Sequence, residues 1–146
     1  MKRYLIYAAL SPFIGGFLLL FATTVASGYW TETSWEEVGK FLGIFVKTLS
    51  YAYLFGVVPA LMIAAIDDIL CHLPRIRPLV RMLIVGAIGF VAAELLYGSR
   101  GPDSGALQFF LYGIVGLTPA ALSSWLAHKY GDEPRRALPS SEPLGE

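Results

Sequence analysis

The chain has 146 residues, 55 % of them apolar or aromatic and only 15 % charged, with eleven basic and eleven acidic side chains that cancel. Charge this far below the roughly 25 % usual in soluble domains, with a mean hydropathy of +0.60 and a pI near 6.7, excludes a soluble globular enzyme of the common kinds; the lack of a basic excess excludes a nucleic-acid binder. A single cysteine, Cys71, excludes an internal disulfide framework.

About 20 helical residues cross a hydrocarbon core of ~30 Å. Tyr4 to Thr31 carries no Asp, Glu, Lys or Arg, and residues 5–26 are read as the first span. Met1-Lys2-Arg3 with Thr24-Val25-Ala26 also fits a secretory signal and its small-residue cleavage site; the reading taken is an uncleaved span. Tyr29, Trp30 and Trp35 cluster where the chain leaves and re-enters the interface, as amphipathic rings do at headgroup depth. Ser34-Trp35-Glu36-Glu37 fits a capping box that starts the second helix at Trp35.

The second span, residues 41–66, is interrupted only by Lys47, and nothing stops its helix before Pro74, so Asp67, Asp68, Cys71 and His72 fall on an extension beyond the membrane. The third span, 78–98, opens on Pro78, which suits a first helical turn, and carries Arg81 near its start and Glu94 near its end. Tyr97 to Asp103 is a glycine-rich tight turn without the Gly-Lys-Ser/Thr ending of a phosphate loop. The fourth span, 105–127, is capped by Asp103 or Ser104. Four spans over residues 1–131 make an all-α integral membrane four-helix bundle. The proline-rich tail, 132–146, is expected to be disordered.

Lys and Arg in short loops set orientation. Lys2, Arg3, Arg75, Arg77, Arg81, Lys129, Arg135 and Arg136 lie on one side, against Lys40 and Arg100 on the other. Both termini are therefore expected in the cytoplasm.

Ionisable residues inside spans are costly and are usually paired or functional. Lys47 lies roughly 9 Å and Glu94 roughly 6 Å below the outer boundary, with Gln108 near the same level. They are read as a polar pair, Lys47 with Glu94, that fixes helix register; a proton or cation site in the outer half is the alternative. At the cytoplasmic end, Asp67, Asp68, His72, Arg75, Arg77 and Arg81 form a second cluster, read as acids pairing with the arginines that follow them. Asp68 and His72 at i, i+4 could hold a metal between them, but two ligands do not close a site. No catalytic residue, metal or cofactor is expected, and Cys71 is read as inert.

Pro12, Pro59 and Pro119 lie at one depth, roughly 10–12 Å from the cytoplasmic boundary. Each frees the carbonyl four residues earlier, at Ala8, Phe55 and Val115, and is expected to kink its helix. Gly56-Val57-Val58-Pro59-Ala60 and Gly116-Leu117-Thr118-Pro119-Ala120 repeat one pattern, and Gly15, Gly16, Gly86, Gly89, Ala93, Gly113 and Ala120 line possible contact faces. In lipid such small residues let helices approach closely.

Ile66-Asp67-Asp68-Ile69-Leu70, Gly56-Val57-Val58-Pro59 and Tyr97-Gly98-Ser99-Arg100-Gly101-Pro102 resemble a family of small uncharacterised four-span bacterial inner-membrane proteins, over most of the chain to His128. The resemblance implies a bacterial source and an inner-membrane address, and no mechanism. The partners expected are the lipid bilayer and a second copy or a larger membrane complex, with no nucleic acid. The function expected is a non-enzymatic accessory or assembly component. The alternatives are a small oligomeric channel or transporter using Lys47, Glu94 and Gln108, and an enzyme working at the cytoplasmic surface through Asp67, Asp68 and His72.

Overall fold

The computed structural model describes residues 2–31, 34–73, 76–98 and 105–131. Among them every regular element is helical: α1 (Lys2–Ala26), α2 (Trp35–Cys71), α3 (Pro78–Ala93) and α4 (Ala106–Leu126), with a 3₁₀ turn at Tyr29–Thr31 and single π turns that continue α3 over Glu94–Gly98 and α4 over Ala127–Gly131. All four helices, counted with their π turns, are long and apolar enough to cross a membrane.

The ends follow from local chemistry. Gly28 takes φ +71°, a left-handed conformation that costs glycine little, and so lets the chain turn out of α1. The Ser34 hydroxyl accepts from the Glu37 N–H while the Glu37 carboxylate accepts from the Ser34 N–H, both at 3.4 Å, completing the expected capping box. Helix α2 runs on to Cys71, beyond the apolar stretch, as expected. Pro78 opens α3. The cap of α4 is Gly105, which offers no side chain; Asp103 and Ser104, proposed for that role, lie outside the described residues, as do Arg75, the turn from Ser99 onward and the tail from Asp132.

Two ends of the bundle can be distinguished. The base holds the start of α1, the end of α2, the start of α3 and the end of α4; the mouth holds the opposite ends. Helix α1 packs along both α2 and α4, and α3 packs along α4, whereas α2 and α3 touch only slightly. Three helix pairs are thus closed and the fourth is open. Glycine makes the α3–α4 contact possible, because a Cβ on Gly116 would collide with the Gly89 carbonyl and with Ala93. Pro12 and Pro119 sit inside their helices and act as knobs: Pro12 rests on Gly56 of α2, and Pro119 lies 3.8 Å from the position of a Cβ on Gly15 of α1.

Between α1 and α2 the mouth half is an aromatic ladder. Phe13, Phe17 and Phe21 of α1 meet Phe41 and Phe45 of α2 edge to face at centroid distances of 5.4–6.4 Å, an arrangement that sets the negative faces of the rings against positive edges. Trp30 joins it against Phe41 and donates its indole N–H to Thr24 Oγ1 at 2.9 Å. The interfacial aromatic cluster therefore divides: Trp30 caps the ladder, and Trp35 stays 91 % exposed.

Candidate functional site: a buried charge hub at the base

Asp67 carries the site. It stands on the last two turns of α2, in the segment expected to emerge from the membrane, yet its side chain is fully buried. Ser124 of α4 donates to its Oδ1 at 2.7 Å, and Arg81 Nε of α3 lies 3.2 Å from the same oxygen. Arg3 of α1 donates Nη1 to the Asp67 backbone carbonyl at 3.1 Å, with Oδ2 at 3.6 Å and Asp68 Oδ1 at 3.3 Å. One carboxylate therefore binds side chains from the other three helices.

Two arginines against two aspartates leave the hub neutral, which is the condition for holding charge away from water. Arg3 and Arg81 are themselves 6 % and 5 % exposed. One turn above Arg3, Tyr7 is wholly buried against Ala64 and Ala127, and a further turn on, Ser11 shares a hydrogen bond with Ser123 at 2.9 Å. Arg3, Tyr7 and Ser11 are spaced at i, i+4, i+8, so α1 turns one polar stripe inward.

The expected pairing of the acids with later arginines is realised as Asp67–Arg81. Asp68 instead bonds Arg3, and it keeps 40 % of its side chain exposed. His72 is exposed, and its Nδ1 lies 2.7 Å from the Asp68 backbone carbonyl rather than facing the Asp68 carboxylate. Arg77 is exposed at the cap of α3, and Arg75 lies outside the described residues. Among the described residues no group of three or more His, Cys, Asp or Glu side chains comes together.

Arg3 and Ser124 complete the hub, with Tyr7 packed one turn above Arg3. In the sequence Arg3 reads only as a charge that sets orientation. The available signal was its i, i+4, i+8 stripe with Tyr7 and Ser11 on an otherwise apolar helix.

At the mouth the outcome differs. Lys47 is exposed on α2, and among the described residues it makes no ion pair with Glu94. Glu94 is half-buried at the start of the π turn, and its Oε1 has no hydrogen-bond partner among the described residues. Gln108 is half-buried near the start of α4. The expected Lys47–Glu94 pair is not made because it assumed that helices consecutive in sequence lie side by side. Equal depth is not adjacency: α3 packs on α4, and α2 packs on α1.

A family model for proteins of unknown function, DUF5413, matches residues 1–133. The chain belongs to that family. No curated protein and no solved structure matches it. Family membership agrees with the uncharacterised family expected from the sequence, and it assigns no chemistry to the hub.

Proposed function

We propose that this chain is a non-enzymatic accessory or assembly component of a bacterial inner membrane, with both termini in the cytoplasm, joined to a larger membrane complex or to a second copy of itself. The orientation rests on the excess of Lys and Arg at the base. The observation that carries the role is Glu94. It lies within the third span, its Oε1 is buried, and nothing in the described chain donates to it. A carboxylate in a span is costly unless paired, so a donor from another membrane protein is expected at its other oxygen, Oε1 being already covered by this chain. At the base the charges answer one another, although Asp67 Oδ2 and the Tyr7 hydroxyl have no hydrogen-bond partner among the described residues.

Affinity purification from native membranes in mild detergent, after chemical cross-linking, tests this reading. A defined complex or homo-oligomer that is lost in Glu94→Gln is the expected result, and recovery of a monomer only would overturn it. The channel or transporter reading uses the same Glu94 with Lys47, and ion flux into liposomes that vanishes in Glu94→Gln would favour it instead.

A further inference from the structure

Helices α2 and α3 leave between them a cleft of about 490 Å³, floored by α1 and α4 and lined by small residues such as Gly16, Gly56, Gly89 and Ala92. We propose that this cleft holds one acyl chain of an anionic phospholipid, inserted from the mouth with its headgroup beside Lys47.

The dimensions decide between candidate occupants. From Ser11 to Thr23 on α1 and from Thr48 to Ile63 on α2, the lining spans about 18–22 Å of helix rise. Spread over that length, 490 Å³ open to the centre of a water-sized sphere corresponds to a channel about 8 Å across at its walls once the sphere's own ~1.4 Å radius is added on each side, narrower than a helix about 10 Å across. A single hydrocarbon chain, whose carbons contact neighbours at about 4 Å, fits that width.

The chemistry of the walls agrees. Thr48 donates its hydroxyl to the Ile44 and Phe45 carbonyls, and Thr23 donates to Leu20, so these wall hydroxyls are spent on their own helices. These two wall hydroxyls therefore ask nothing of the occupant. At the base the Asp67–Arg81 bond ties α2 to α3, so a chain entering from the mouth ends against the hub.

Charge complementarity supplies the headgroup. Lys47 is exposed, one residue before Thr48 and one turn before Tyr51, both of which line the cleft. Lysine stems carry their ammonium outward along apolar surface, which brings the cation to the interface above the cleft, where the phosphate of an inserted lipid lies. The inference does not depend on the accessory role, and its test reads lipid rather than protein partners.

The test uses the full chain reconstituted in phosphatidylcholine vesicles containing either phosphatidylglycerol or phosphatidylcholine with a diazirine in one acyl chain; labelled peptides are mapped by mass spectrometry. Label concentrated on the α2 and α3 walls of the cleft is expected, abolished there by Ala92→Trp and retained on the outer helix faces. Lys47→Met, on the surface, should reduce the preference for phosphatidylglycerol about fivefold, the value of one basic contact of about 1 kcal/mol, and Lys47→Arg should keep it. Label spread evenly over all four helices, equal labelling by the two lipids in the unaltered chain, or a second copy cross-linked into the cleft would each overturn the proposal.

Discussion

The base and the mouth of this bundle are built from the same four helices but are held in opposite ways. At the base, Asp67 of α2 gathers Arg3, Arg81 and Ser124, so the other three helices are tied to one residue. At the mouth, α1 and α2 are joined by edge-to-face rings, α3 and α4 by the Gly89–Gly116 approach, and α2 and α3 are left apart. Lipid tails are as apolar as leucine, so no hydrophobic force closes a gap between helices; packing and polar bonds must do so. Where polar bonds converge the bundle is fixed, and where they are missing a cleft remains.

This contrast predicts unequal responses to substitution. The largest is at Asp67. Asp67→Asn removes the carboxylate that Arg81 and Arg3 share and leaves Arg3 with Asp68; breaking a buried pair from one side costs about 3–5 kcal/mol. Thermal unfolding of the detergent-solubilised protein, followed by circular dichroism, should fall steeply, and a change of less than about 1 kcal/mol would mean that water reaches the hub. Next comes Gly116→Leu, which forces α3 from α4 where a Cβ already collides; overpacking of this kind costs about 1–3 kcal/mol. A disulfide trap between cysteines placed at positions 86 and 121, where a Cβ on Gly86 lies 3.4 Å from the Ala121 Cβ, should then form more slowly than without the Gly116 substitution.

The fold was largely legible because its signals are local or additive. Apolar length located the spans, Ser34 and Glu37 marked the start of α2, and Pro78 marked the start of α3, each within one stretch of chain. The site was legible in part. Asp67, Asp68 and Arg81 stood out as charges beside or inside apolar runs. Arg3 did not, since two basic residues at a membrane-protein terminus are already accounted for by orientation, and Ser124 is one of several hydroxyls in its helix. The Lys47–Glu94 pairing failed for a further reason: helix rise gives depth, whereas which helices touch depends on small residues such as Gly89 and Gly116 whose partners are distant in sequence.

Within the hub the hydroxyl matters less than the charge. Ser124→Ala removes a 2.7 Å bond to Asp67 but leaves both arginines in place, and interhelical hydrogen bonds in membranes average about 0.6 kcal/mol with a maximum near 1.7. A loss in that range, measured by the same unfolding transition, would rank Ser124 as a positioning group for a carboxylate held chiefly by charge. A loss as large as that of Asp67→Asn would instead make the hydroxyl indispensable to the hub.

Glu94→Gln should do least to the isolated chain, and this makes it the sharpest test of the contrast. It is chemically the same kind of change as Asp67→Asn, a carboxylate becoming an amide within one of four apolar helices. Among the described residues, however, nothing donates to Glu94 Oε1, and neutralising an unpaired charge in a span relieves a cost rather than adding one. The transition of the purified monomer should therefore move by less than about 0.5 kcal/mol, or rise. Any effect of the substitution should emerge only in native membranes, as loss of a partner. If Glu94→Gln instead destabilises the isolated protein as Asp67→Asn does, the mouth is held by charge in the same way as the base, and the division between a bonded end and an open one does not stand.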